Sequence, residues 1–196
     1  VSFPENFSTI NQDPGIGNSR NMVKRGEYLL TAGISRHHKS VAGFLSMSYS
    51  NLNNLTQIQP NVGIAVYPKG NTKAYFLANY SHPTQKENGS WRQSNVLHSG
   101  FGIETFKNIW TEVHYYTGNM DNFIRANGFV IHNGVNRIRS MGNIRLIALA
   151  GSSVSFFIDA STMQHVSEFR TWETGAASNQ MEYQSMSFTG GVIWQK

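Results

Sequence analysis

The chain contains no cysteine, and this absence excludes several kinds of chemistry at once. A thiol nucleophile, a thiolate metal site and a disulfide framework all require cysteine. A chain of 196 residues can bury on the order of 70% of its unfolded surface, so one core suffices without bridges. We therefore predict a single domain over residues 1–196. Residues 1–25, which contain Pro4 and Asp13-Pro14-Gly15, are expected to form an irregular N-terminal arm.

Charge is also scarce, because Asp, Glu, Lys and Arg make up only 14% of the residues. The formal net charge of +5 is dispersed, and the longest basic segment is Arg36-His37-His38-Lys39. Such dispersion argues against a nucleic-acid partner. No apolar run approaches the roughly 20 residues of a membrane helix, so membrane insertion is not expected either.

The residues that are abundant favour a β-protein at an exposed location. Gly, Asn, Ser and Thr are frequent and aromatic residues reach 12%. This balance is typical of extracellular or virion-surface proteins, which is the predicted localisation.

Alternating apolar and polar residues, separated by turn residues, predict strands throughout the chain. The clearest are residues 27–34, 41–48, 62–67, 73–80, 109–116, 123–131, 143–149, 152–158 and 186–194. Pro68-Lys69-Gly70-Asn71 has the composition of a hairpin turn. Long polar loops are expected at residues 51–61, 81–94 and 171–179. The predicted fold class is an all-β, antiparallel β-sandwich.

Three segments follow one another along the chain: Gly26-Glu27-Tyr28 at a predicted strand start, the turn at Ala150-Gly151, and Phe188-Thr189-Gly190 in the last predicted strand. In this order they resemble the Gly-x-Tyr strand, the paired late strands and the closing Phe-x-Gly strand of the tumour necrosis factor and complement globular-head superfamily. The resemblance implies a jelly roll that assembles as a homotrimer and binds receptors or ligands. Fibre heads of viruses and phages reach a similar trimeric head.

Strand position and apolar neighbours lead to a specific expectation about packing. Tyr28, Phe156 and Phe188 each begin or occupy a predicted strand. We expect these three side chains to be buried together in one core.

Enzymatic chemistry has little support in the sequence. The Gly-x-Ser-x-Gly elbow of many serine hydrolases is missing. A glycosidase needs two close carboxylates, for which Glu104, Glu112, Asp121 and Asp159 are candidates, although their alternation with apolar residues favours solvent-facing positions.

Metal and cofactor sites are not expected. Adjacent residues of a strand point to opposite faces, so His37 and His38 cannot both hold one ion. The other histidines have no ligand spacing, and no glycine-rich phosphate loop is present.

Aromatic residues near polar loops indicate a recognition surface. Large rings supply flat apolar area for stacking on sugars or anchoring a protein. The candidate ligand-binding residues are Trp91, Tyr80 and Arg92, with Trp172 as a second candidate.

The sequence as a whole predicts a non-enzymatic binding module, a trimeric head that recognises a cell-surface receptor or glycan. The alternative is a structural subunit of a capsid, fibre or appendage, which open-ended assembly would favour. A third reading is a carbohydrate-active enzyme, which a close carboxylate pair in a cleft would favour.

Overall fold

The computed structural model describes residues 27–52, 55–87, 89–125, 130–132, 136–151, 153–170 and 178–194. These residues form thirteen strands and no helix, so the predicted all-β fold class is confirmed. The strands are β1 (Tyr28–His38), β2 (Val41–Leu52), β3 (Leu55–Val66), β4 (Ala74–Ser81), β5 (Thr84–Glu87), β6 (Ser90–Gln93), β7 (Val96–Phe106), β8 (Ile109–Gly118), β9 (Phe123–Arg125), β10 (Val130–His132), β11 (Arg137–Ala150), β12 (Val154–Arg170) and β13 (Ser178–Trp194). No helix that could cross a membrane is found in this part of the chain. The predicted N-terminal arm, residues 1–25, lies outside it.

Nine strands form an antiparallel meander in the order β1-β2-β3-β4-β7-β8-β11-β12-β13. Two-residue turns join some of them: Lys39-Ser40 links β1 to β2, and Lys107-Asn108 links β7 to β8. Positive φ angles of 52° at Lys39 and 67° at Asn108 close these turns. Because such short connections join only neighbouring antiparallel strands, the described strands follow one another without the long crossings of a jelly roll. The predicted antiparallel all-β arrangement is confirmed, and the strands of the large sheet follow the order of a meander.

Two hairpins are inserted into this meander. The β5–β6 hairpin lies between β4 and β7 in sequence, and β5 pairs with residues 56–58 of β3 beyond the end of β4. The β9–β10 hairpin lies between β8 and β11 and forms a separate two-stranded sheet. Two antiparallel sheets of very unequal size result.

The β9–β10 hairpin shows that the large sheet is curved. The side-chain amide of Gln59 on β3 bonds both Ile124 O (2.7 Å) and Ile124 N (3.0 Å). The next residue, Arg125, donates to Met141 Sδ on β11 at 3.6 Å. Four strand-to-strand steps separate β3 from β11, about 19 Å along a flat sheet. One cavity is lined by residues of β2, β3, β4, β7, β8 and β11 together with the hairpin, so the sheet bends around the hairpin, which lies on its concave face.

In the part of the chain that the structure describes, the buried hydrophobic cluster is small and lies under this hairpin. It consists of Val96, Met120, Phe123, Ile138 and Met141, each at most 7% exposed. Burial of these side chains holds the hairpin against β7 and β11.

Glycines on the concave face make room for rings on the neighbouring strand. Gly63 lies opposite Phe44, and an added Cβ would be 2.0 Å from the Phe44 ring. Gly102 lies opposite Tyr75 in the same way, at 2.2 Å. Only glycine permits these rings to lie flat against the adjoining backbone.

The predicted strands fall on observed strands, but three segments were interpreted wrongly. Residues 51–61 and 81–94, expected to be loops, contain the start of β3 and the β5–β6 hairpin. The predicted strand at 123–131 is two short strands, β9 and β10. Strand β7 was not predicted because Gly100 and Gly102 interrupt its pattern. The turn at Pro68-Lys69-Gly70-Asn71 is confirmed, with a φ of 65° at Gly70.

Candidate functional site

The described residues bury polar side chains and expose large apolar ones. The most deeply buried polar side chains, at 1% exposure or less, are Ser48, Ser50, Gln57, Gln59 and Ser81. On the opposite face Ile34 is 75% exposed, Ile158 63% and Leu97 56%. An aqueous surface usually has scattered apolar residues, and a large continuous apolar surface marks an interaction site.

The expected burial of Tyr28, Phe156 and Phe188 in one core is wrong. These side chains are 46%, 49% and 79% exposed. All three side chains lie on the convex face of the sheet. Their register partners Asn51, Ala148 and Ala160 lie on the same face, since residues directly opposite each other in a sheet share a face.

The convex face carries one continuous apolar surface, which we name the outer band. It comprises every second residue over 28–34, 41–49, 58–66, 74–80, 97–103, 109–115, 142–148, 154–160 and 186–194. None of these residues is charged or carries an amide, and only Ser99 and Thr111 have an aliphatic hydroxyl. The band crosses all nine strands of the meander.

The outer band runs diagonally across the strands. His38 on β1 is connected to Phe188 on β13 by successive cross-strand partners, namely Val41, Val66, Phe76, Phe101, Val113, Ile144 and Ala160. On β1 the band is centred at residue 31, seven residues from His38. On β13 it is centred at residue 190, two residues after Phe188. Since β1 and β13 run in the same direction and residue 31 precedes His38, the two displacements are opposite along the strands and add up. Nine residues of stagger over eight strand-to-strand steps correspond to a tilt of about 40°, given a rise of ~3.3 Å and a spacing of ~4.8 Å.

Tyrosines lie toward one border of the outer band. Tyr28 and Tyr49 are in ring contact, with centroids 5.8 Å apart, and Tyr28 Oη donates to Tyr49 Oη at 3.4 Å. Tyr80 and Tyr115 lie toward the same border on β4 and β8. Trp194, which is 76% exposed, lies toward the other border on β13.

The concave face encloses a cavity of about 620 Å³ between the large sheet and the β9–β10 hairpin. This volume lies within the usual range of small-molecule sites, roughly 300–1,000 Å³. Its walls come from β2, β3, β4, β7, β8 and β11, and the hairpin covers part of it.

A row of four cross-strand partners crosses the cavity wall. Asn79, His98, Tyr116 and Met141 lie directly opposite one another on β4, β7, β8 and β11. His98 stacks on Tyr116 with ring centroids 3.8 Å apart. Arg125 from the hairpin lies over the same Tyr116 ring at 5.0 Å, which is a cation–π contact. We name these five residues the cavity row.

Two further polar contacts involve side chains of the cavity wall, namely Arg145 and Tyr75. Arg145 Nη2 forms an ion pair with Asp159 Oδ2 at 2.8 Å, and Tyr75 Oη donates to Glu112 Oε1 at 2.8 Å. Both carboxylates are thus occupied by neighbouring side chains. His132 on the hairpin is also enclosed, and burial together with the nearby Arg125 lowers its pKa to about 4.

The carboxylates considered for a glycosidase each contact another side chain. Glu104 forms an ion pair with Lys73 at 3.0 Å, and Asp121 forms one with Arg137 at 3.2 Å. Glu112 and Asp159 face the concave side, not solvent as expected. In the described part of the chain no group of three or more His, Asp or Glu side chains is placed to hold a metal ion.

The predicted ligand-binding residues do not form one cluster. Tyr80 lies within β4 on the convex face, 40% exposed, and donates to Asn95 Oδ1 at 2.6 Å. Trp91 and Arg92 are adjacent on β6 and therefore point to opposite faces. Trp91 is 52% exposed, whereas Arg92 forms an ion pair with Asp121 at 3.4 Å. Trp172 lies outside the described residues.

Sequence reasoning missed the cavity row. Its four sheet residues lie 18 to 25 residues from their cross-strand partners along the chain, in strands whose pairing places them side by side. The alternation of His98 and His114 with apolar residues was visible, but it did not show that their face was enclosed.

Comparisons with known proteins gave no match to a family model, to a curated protein or to a solved structure.

Proposed function

We propose that this protein is embedded in a lipid bilayer, with the outer band against the hydrocarbon and the concave polar face shielded from it. The observation that carries the proposal is the outer band itself: a convex surface without charged or amide side chains that crosses nine strands and lies opposite a polar interior. The proposed role is that of a membrane scaffold for the cavity on the concave face. It departs from the sequence-based expectation of no membrane insertion.

The dimensions of the outer band support this environment. Over β2 and β3 the band spans nine residues each, 41–49 and 58–66. At a rise of ~3.3 Å and a tilt of about 40°, nine residues cover roughly 23 Å along the normal of the band, and the seven residues that the band spans on β1, β4, β7, β8, β11 and β12 cover roughly 18 Å. Membrane-crossing strands are about 9–11 residues long and tilted by about 35–45°, and their apolar surface is about 25 Å tall.

The tyrosines at the border agree with a bilayer. Tyr and Trp side chains are enriched at the level of lipid headgroups, because their rings are apolar and their polar atoms reach water. Tyr28, Tyr49, Tyr80 and Tyr115 lie toward one border and Trp194 toward the other, which is the arrangement expected of two interfaces.

A second copy of the chain explains the outer band less well. The band extends about 38 Å around a convex surface, over eight strand-to-strand steps. A subunit interface is a patch with a polar rim, and one flat partner cannot cover a surface that curves away from it. Lipid hydrocarbon conforms to any curvature. The trimeric head predicted from the sequence would cover the band with copies of the chain and is the competing outcome of the test.

The proposal places a requirement on the sheet edges. In the described residues β1 and β13 are the two ends of the strand order. Hydrocarbon cannot satisfy backbone N–H and C=O groups, so each edge needs a backbone partner within the membrane.

The absence of cysteine makes the proposal directly testable by spin labelling. A single cysteine would replace Ile158 in the outer band or Gln164, which is exposed on the same face of β12 beyond the band. Each variant would be refolded into phosphatidylcholine vesicles and labelled with a nitroxide. The label at residue 158 should collide with oxygen, which concentrates in hydrocarbon, and the label at residue 164 with a water-soluble nickel chelate.

Two results would contradict the proposal. Equal access of the nickel chelate to both labels would place Ile158 in water. Low access of both reagents to residue 158, together with the mass of a trimer, would show that copies of the chain cover the band.

A further inference from the structure

The cavity on the concave face has a charge imbalance that points to a ligand. The charged side chains that line it are Arg125 and Arg145, and no Asp or Glu side chain is part of its lining among the described residues. Arg145 is neutralised by Asp159, with Nε and Nη2 at 2.9 and 2.8 Å from the same oxygen. Arg125 carries the unbalanced charge.

The guanidinium of Arg125 is held in place without a counter-ion. Its contacts are the Tyr116 ring at 5.0 Å and Met141 Sδ at 3.6 Å, and no carboxylate of the described residues forms an ion pair with it. A ring face and a thioether orient a guanidinium but satisfy few of its five N–H donors. The remaining donors are available to an acceptor inside the cavity.

Asn79 supplies an independent indication at the other end of the cavity row. Its Oδ1 is buried and has no hydrogen-bond partner in the described structure. A buried polar atom without a hydrogen-bond partner costs about 1–3 kcal/mol of folding free energy. Such an atom therefore usually bonds to a water or a ligand when no protein group is in reach. Asn79 and Arg125 are connected through His98 and Tyr116, so both uncommitted groups belong to one wall of one cavity.

We propose that this cavity binds a small oxyanion, a carboxylate or phosphate group, through the guanidinium of Arg125, with the other end of the ligand directed toward Asn79. A guanidinium matches such oxyanions geometrically, because two parallel N–H groups can donate to two oxygens. A cavity of about 620 Å³ holds a small organic molecule that carries this group. The inference concerns the concave face and does not depend on what covers the outer band.

The test is calorimetric titration of the full chain, in aqueous buffer or in detergent micelles according to which keeps it folded, with inorganic phosphate and acetate as separate probes. The wild-type protein should bind at least one probe saturably, and the choice of probe distinguishes a phosphate from a carboxylate site. Arg125→Gln should weaken binding at least tenfold. Arg139→Gln is the matched control, because Arg139 is exposed and pairs with Glu182 outside the cavity, and it should leave binding unchanged.

A third variant, Arg125→Lys, keeps the proposal testable if Arg125→Gln does not fold. Arg125→Lys keeps the charge but loses the two parallel donors, so it should fold and bind several-fold more weakly than wild type. The proposal is overturned if neither probe binds the wild-type protein saturably, or if whichever Arg125 variants fold retain wild-type affinity. It is overturned equally if Arg139→Gln loses as much affinity as Arg125→Gln, since the effect would then be one of net charge.

Discussion

Replacing Ile158 by arginine tests the environment of the outer band through its energetics. Ile158 is 63% exposed on β12, and its register partners in the band are Leu146 and Gly190. If the convex face were in water, an exposed substitution of this kind would change the free energy of unfolding by no more than about 0.5 kcal/mol. Arginine at the midplane of a bilayer costs about 2–4 kcal/mol on the lipid face of membrane strands.

The matched control is Gln164→Arg on the same face of the same strand. Residue 164 is six positions from residue 158, about 20 Å along β12, and lies beyond the band. The control introduces the same charge and the same side chain, but its guanidinium reaches water or headgroups, so it should cost about 0–1 kcal/mol.

Urea unfolding of the protein in phosphatidylcholine vesicles measures both costs. We expect Ile158→Arg to lower the free energy of unfolding by about 3 kcal/mol, which is more than about a hundredfold in the unfolding equilibrium constant. Equal free energies for Ile158→Arg and Gln164→Arg would refute the lipid-facing assignment of the band.

Three further predictions concern the concave face. Gly63→Ala should cost about 1–3 kcal/mol, because the new Cβ would overlap the Phe44 ring, while Gly43→Ala, where no atom lies within 4 Å, should be nearly neutral; comparison of their denaturation midpoints decides. Gln59→Ala should cost about 2–4 kcal/mol and increase amide exchange in the β9–β10 hairpin, because a buried N–H and C=O of the hairpin lose their partner. The pKa of His132 is lowered to about 4 by burial and by a nearby arginine, so its contribution to stability is complete above about pH 6.5 and is lost as the pH falls toward 4. His132→Gln should therefore flatten the pH dependence of the unfolding free energy in that interval, and an unaltered slope would contradict the assignment.

Local rules were enough to predict most strands and some turns. The hairpin turn at Gly70 followed from residue types that tolerate positive φ, which is a property of the turn itself. Strand β7 was missed because Gly100 and Gly102 are poor strand formers taken alone. Their place in the sheet depends on His114 and Tyr75, whose rings occupy the space that a side chain would need. Such a requirement belongs to the pair of strands and cannot be read from one of them.

The sequence did not show which face of each strand is enclosed and which is exposed, and this was the larger error of the prediction. Alternation shows that a strand has an apolar and a polar face, but it is equally consistent with an apolar core in water and with a polar interior in lipid. The expectation that Phe156 and Phe188 are core residues applied the first of these readings. Only the pairing of the strands, which aligns the apolar faces into one convex surface, distinguishes between them.

Gln57 and Gln59 show why the polar interior could not be recognised from the local sequence. Beside Ile58, two glutamines on a strand suggest a polar loop or a solvent-facing edge, and residues 51–61 were interpreted that way. In the structure both are at most 1% exposed, and they bond the backbone of residues 122 and 124, 65 positions along the chain. Burying an amide is unfavourable unless its donors and acceptor are satisfied, so these side chains are stable inside only because the β9–β10 hairpin supplies the partners. The hairpin in turn is held on the concave face by the same bonds. The polar interior and the hairpin that covers its cavity are therefore one arrangement, which depends on contacts between distant segments and could not be inferred from either segment alone.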